Sequence, residues 1–253
     1  LAKAPSLRAR CEHVAVVRVI ERLVKLGRDE VQAWLDEVSP GTGFVRFAAL
    51  ADLPRLRVKQ QLARGNVAPA TIAAISRGLD LDPLTQLARF AVFADLVPSS
   101  PAVGEMPGFI SSPGLFRASA GRLENQPVTE TQLGPESYDL AALYWFNLAN
   151  DGALRARIAD ELGVNQPTLW KMLRTRLRED VALAVCEHAG WPGVSALVIS
   201  EVLTGKEAGW VEECRATWAN TVPVGQLLSC TEQRLQQVGK QERDRESFDR
   251  HLG

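Results

Sequence analysis

Between Asn165 and Arg178 the chain reads NQPTLWKMLRTRLR, with Lys171, Arg174, Arg176 and Arg178 and no acidic residue. Helical spacing puts Leu169, Met172 and Leu173 on one face and leaves Gln166, Trp170, Lys171 and Arg174 on the other. An amide and a cation on the exposed N-terminal half of a helix suit the major groove of duplex DNA, where amides read adenine edges and cations read guanine or hold phosphate. A second window, Leu53 to Leu79, carries Arg55, Arg57, Lys59, Arg64 and Arg77 and again no acid. One such run alone reads as a solvated helix face; two at equivalent positions of a repeat point to a shared task.

The elements that must position these side chains are legible around them. A helix is predicted from Leu154 to Leu162, with Ile158 and Leu162 on one face and Ala159 where a crossing helix comes close. Gly163 ends it, because a residue without Cβ tolerates the left-handed C-terminal conformation. Val164 then enters the core, Asn165 caps the next helix, and Pro167 sits in the first turn, where its missing N–H costs nothing.

This pattern resembles the helix-turn-helix of the Cro and phage-repressor (XRE-like) family. SYDLAALYWFNLAND looks like the opening helix of that five-helix domain and EDVALAVCEHAGWPGVSALVISEVL like its two closing helices, so the likeness covers about Glu136 to Thr204. It implies a phage or prophage immunity-repressor type of protein. By position, it places Gln166, Pro167, Thr168, Trp170 and Lys171 on base edges and Arg155, Arg174 and Arg176 on phosphates.

With an offset of 111 residues the first half falls on the second: Phe47 on Ile158, Ala48 on Ala159, Leu53 on Val164, Val58 on Leu169, Leu62 on Leu173, Ile72 on Leu183 and Ile75 on Cys186. In this weaker copy Arg55, Leu56, Arg57 and Gln60 take the groove-facing positions, with Lys59 and Arg64 as further backbone contacts. It departs from the pattern at Asp52, which replaces the turn glycine, at Pro54, and at Gln61, a position that is usually apolar. The expected fold is all-α: two tandem five-helix helix-turn-helix domains, 1–97 and 136–204, a Pro/Gly/Ser-rich linker over 98–135, and a C-terminal helical extension over 205–253.

LAKAPSLRARCE reads as a basic lead-in, frayed or acting as an arm. Val14, Val17, Ile20, Leu23 and Val24 predict a helix ending at Gly27, and Val31, Trp34 and Leu35 the buried face of the next. A flexible linker of about 40 residues spans roughly 35 Å, close to the roughly 34 Å turn of B-DNA, so one chain could reach two adjacent sites; Phe109, Ile110, Leu115 and Phe116 are apolar enough to dock on a neighbour. Beyond the second unit, Trp210, Cys214 and Trp218 fall four apart on a predicted helix, and Val224, Leu227, Leu228, Leu235 and Val238 form a looser stripe, which either covers the second core or makes a homodimer contact. KQERDRESFDRHLG is charge-mixed and expected to fray.

The net charge of −1 argues neither for nor against nucleic acid, so the case rests on local patches. Residues up to Pro98 carry a net +4 and those from Ser137 to Thr204 a net −2, so the second unit must segregate its cations onto one side. Cys11, Cys186, Cys214 and Cys230 form no C-x-x-C pair and only three histidines are present, which disfavours a zinc site and fits a reducing, cytoplasmic setting. No signal-peptide pattern, membrane-length apolar run, phosphate loop, G-x-S-x-G elbow or H-E-x-x-H is found. Neither Tyr138 and Tyr144, on an apolar face, nor His188, inside a closing helix, suggests catalysis. The expectation is therefore no enzyme, no cofactor, no small-molecule substrate and no membrane, with operator DNA as partner. The rival reading is a helical adaptor or antirepressor that keeps the fold and has lost DNA.

Overall fold

The computed structural model describes residues 26–135, 138 and 140–252, with side chains for all of these except Phe44 and 244–252. The helix expected before Gly27 and the basic lead-in lie outside the described residues. Every regular element among them is helical, and extended backbones pair at the isolated bridge between Leu26 and Val67. No helix among the described residues is long and apolar enough to cross a membrane.

The first helix set comprises α1 (Arg28–Val38), α2 (Phe44–Leu50), α3 (Arg55–Ala63), α4 (Pro69–Gly78) and α5 (Pro83–Leu87). α1 buries Val31, Trp34 and Leu35, as its period predicts, and places Asp29 and Glu30 at its positive end. Pro69 and Pro83 each open a helix where no N–H is needed. After α6 (Ser112–Leu123) comes a second set: α7 (Ala141–Ala149), α8 (Leu154–Glu161), α9 (Gln166–Arg174), α10 (Glu179–Ala189) and α11 (Gly193–Ile199).

The two sets repeat in detail where the chain turns. α3 and α9 are both 9 residues long, and their starts, Arg55 and Gln166, are 111 positions apart. Before them, Leu53 N–H donates to the Ala48 carbonyl at 2.9 Å and Val164 N–H to the Ala159 carbonyl at 2.9 Å. Asp52 (φ 50°) takes the same left-handed conformation as Gly163 (φ 62°), so the departure from glycine does not break the turn. A Cβ added at Gly163 would meet nothing within 4 Å. Gly163→Ala is thus expected to cost only backbone strain, about 1–2 kcal/mol, visible as a lower thermal midpoint with unchanged helical circular dichroism.

The offset then shortens. From the C-cap Arg64 to the N-cap Ala68 is one residue more than from Thr175 to Arg178. Leu81 N–H donating to Ser76 O (2.9 Å) therefore matches Trp191 N–H donating to Cys186 O (2.8 Å). In α4 and α10 the equivalent buried pairs are Ile72 with Ala182 and Ile75 with Val185, not Leu183 and Cys186 as a constant offset implies. Gly78 lets α4 lie on the end of α2: a Cβ there would sit 2.3 Å from the Leu50 carbonyl oxygen. Gly78→Ala should cost about 1–3 kcal/mol by overpacking, read from the urea midpoint.

Residues 98–135, expected to be a flexible linker, are folded. A 3-10 turn over Met106–Phe109, α6, and a second 3-10 turn over Glu130–Gln132 occupy much of them. Phe109 joins the main core, Phe116 is half-buried, and Ile110, Leu115 and Ala118 form a second core with Val128, Leu133, Trp218, Val222 and Leu227. The glycines there serve close approach: a Cβ on Gly114 would lie 2.3 Å from the Leu133 carbonyl oxygen, and one on Gly108 2.8 Å from Trp145. Ser111 caps α6, its Oγ accepting from Gly114 N–H at 3.1 Å.

The chain ends in α12 (Cys214–Thr221) and α13 (Val224–Leu252). Trp210 precedes α12 instead of sharing its face, and meets Phe109 edge-on at 4.7 Å. α13 turns Leu227, Thr231 and Arg234 inward while Leu228 and Leu235 stay exposed. The guanidinium of Arg234 lies 4.0 Å from the Tyr144 ring centroid and donates to the Pro107 carbonyl at 2.9 Å. The charged tail stays helical to Leu252, since from Lys240 it contains neither proline nor glycine until Gly253. The segment after α11 holds the first half of the chain: Arg77 of α4 donates to Glu207 (2.6 Å) and to the Val202 carbonyl (2.7 Å), and Ser99 N–H donates to the Ala208 carbonyl (3.1 Å).

Candidate nucleic-acid interface

The Asn165 side chain accepts from Thr168 N–H at 2.8 Å and Pro167 lacks an N–H, so α9 starts sharply with its first turn held. Leu169 and Leu173 anchor the helix in the core. Gln166, Pro167, Lys171, Arg174 and Arg176 are exposed, and Thr168 is half-buried. Lys171 and Arg176 make no ion pair among the described residues. Arg178, by contrast, is committed to Asp180.

Trp170 departs from its expected role at a base edge. Its ring is half-buried against the core and flanked by Arg155 at 5.5 Å and Arg174 at 4.9 Å from the ring centroid. Both cations lie within cation–π range of the ring. The indole is therefore held within the protein and orients two of the phosphate candidates. Arg174 remains exposed; Arg155 is half-buried, and its Nε is buried with no hydrogen-bond partner among the described residues.

All six expected side chains, Arg55, Leu56, Arg57, Lys59 and Gln60 on α3 and Arg64 at its C-cap, are exposed, while Val58 alone of that helix is fully buried. Leu56 is 64% exposed. Gln61, the polar intruder in an apolar position, accepts from Thr71 Oγ1 at 2.8 Å and from Ala68 N–H at 3.3 Å, tying α3 to the start of α4. Arg77 leaves the cationic window, because it is held by Glu207.

Two acids near the second window, Asp151 and Glu161, serve structural contacts. Asp151 accepts from the N–H groups of Ala153 and Leu154 at 3.0 Å each and pairs with Arg157; the Arg157 hydrogen bond, then that from Ala153, hold its carboxyl below the usual range. Glu161 and His188 pair at 2.8 Å and link α8 to α10, which gives that histidine a structural place. Sequence reasoning missed a further group: Lys240 and Gln241 of α13 come beside Arg155, Trp170 and Arg174 around a cavity of about 220 Å³. No periodicity signals this, because the tail was expected to fray.

Among the described residues no group of histidine, cysteine and carboxylate side chains is arranged to hold a metal ion. No protein-family model, curated protein or solved structure matches the chain.

Proposed function

We propose that this protein is a sequence-specific double-stranded DNA-binding transcriptional regulator, a repressor of the phage or prophage immunity type. In this reading α2–α3 and α8–α9 are two tandem helix-turn-helix units, and the chain occupies operator DNA sterically, with no catalytic step. One observation carries it: two helix pairs with the same turn hydrogen bonds each expose the N-terminal half of the second helix, in windows free of acids. Gln166, Pro167, Thr168 and Lys171 are the base-edge candidates of the second unit, and Arg55, Leu56, Arg57 and Gln60 those of the first. Arg174, Arg176, Lys59 and Arg64 hold phosphates.

The test is fluorescence anisotropy of the intact protein against a random-sequence duplex pool carried through several rounds of selection. Enrichment of one site with two blocks, bound by one chain, supports the reading. A palindrome bound by two chains makes the protein a conventional homodimer, with Leu228 and Leu235, 38% and 53% exposed on α13, as the natural contact. The second reading, an adaptor or antirepressor, is favoured by the net −2 of residues 137–204. It gains if nothing is enriched and binding stays weak at low salt.

A further inference from the structure

The cavity of about 220 Å³ between α7, α8, α9 and α13 holds an arrangement that DNA reading by α9 does not require. Three cations line it, Arg155, Arg174 and Lys240, and no carboxylate does among the described residues. Side-chain amides, Asn150 from the end of α7 and Gln241 from α13, complete a donor-rich wall. Gln241 has its carbonyl oxygen engaged by the Tyr144 hydroxyl at 3.0 Å, which leaves its NH₂ to donate. Arg155, one of the residues that line the cavity, has its Nε buried with no hydrogen-bond partner among the described residues.

The repeat supplies a contrast. The equivalent cavity of the first helix set, about 400 Å³, has Arg28 and Lys59 but only Gln32 as an amide. Lys59 stands 111 positions before Trp170, so the first cavity, although Phe47 lines it, lacks the indole that two guanidinium groups flank in the second. The second gathers three cations against two in the first, which suits a compact, multiply charged anion. Guanidinium groups meet phosphate with charge-assisted, often paired hydrogen bonds. At roughly 30 Å³ per water, the volume admits a phosphate group with a small body attached.

We propose that this cavity is a phosphate site, clamped between α9 and the C-terminal helix by Arg155, Arg174 and Lys240. The phosphate belongs either to a small phosphate ester or to a DNA strand. Bound there, it ties α13 to the helix that carries Gln166 and Lys171, so occupancy of the cavity bears on the DNA-reading surface.

The test is calorimetric titration of the full chain with inorganic phosphate, then glycerol 3-phosphate, at constant ionic strength against a chloride control. Saturable binding is expected, weakened about tenfold by Lys240→Gln and by Arg155→Gln, as loss of one charge-assisted hydrogen bond predicts. Unchanged helical circular dichroism establishes that each variant is folded. Heat no different from chloride, or affinity equal in wild type and both variants, overturns the proposal. A second arm repeats the titration with duplex DNA in excess. Phosphate binding that persists assigns the site to a small ester, and binding that disappears assigns it to a strand phosphate. The DNA-free arm decides the cavity's chemistry even if the operator reading fails.

Discussion

Glu105→Ala is expected to lower the stability of the chain by about 3–5 kcal/mol, because three donors lose their acceptor at once. Glu105 is fully buried and accepts from Trp145 Nε1 at 3.0 Å, Ser195 Oγ at 2.8 Å and Ala102 N–H at 2.7 Å. Those donors belong to α7, α11 and residues 98–111, so one carboxylate joins segments about 40 and 90 positions away along the chain. Urea unfolding followed by circular dichroism measures the loss; a change under about 1 kcal/mol would mean that solvent replaces the carboxylate.

Burial pushes the Glu105 carboxyl above its usual range, against the opposing hydrogen bonds from Trp145, Ala102 and Ser195. The folded chain therefore keeps this proton to higher pH than the unfolded chain does. The group's contribution is full below the usual carboxylate range and is lost as pH rises through the elevated folded value. Glu105→Gln, which cannot ionise, should flatten that part of the stability-versus-pH curve, and an unchanged slope would assign it to other groups.

The second large effect concerns DNA. With Arg57→Ala and Gln60→Ala together, or with Gln166→Ala and Lys171→Ala together, operator affinity should fall by about 2–6 kcal/mol per pair, since each base-reading side chain is worth about 1–3 kcal/mol. Each pair should also relax sequence preference only in its own block of the site. All four side chains are exposed, so folding stability should move by less than about 0.5 kcal/mol. Arg174→Ala should instead weaken every sequence alike and flatten the salt slope by about one unit. If one pair changes nothing while the other abolishes binding, only one helix set reads DNA.

Much of the helical frame was legible in local signals. Asn165, Pro167 and the apolar spacing place α9, while the recurrence of apolar residues 111 positions apart places α3 at the same length. The one-residue shortening between α9 and α10 was not legible, because apolar residues occupy both registers of that helix and only the caps distinguish them. Residues 98–135 were misread for a physical reason. Pro, Gly and Ser there mark helix starts and close backbone approaches, as at Ser111, Pro113 and Gly114, and composition alone does not separate these from flexible chain. Trp170 was expected on the outward face, whereas its ring is half-buried against the core. Its capture by Arg155 and Arg174 depends on tertiary neighbours that no local pattern encodes.

The wedding of α6 to α13 has a consequence for how the protein is made. Ser119 meets Thr231, 112 positions later, at 2.8 Å, and the Ile110 carbonyl meets Arg234, 124 positions later, at 3.2 Å. At about 5–20 residues per second on the ribosome, the apolar side of α6 waits on the order of ten seconds for its cover. During that interval Leu115 and Ala118 have Val128 and Leu133 of their shared core but not Trp218, Val222 and Leu227. Nascent chains cut short before α13 should thus be the species that chaperones and proteases engage.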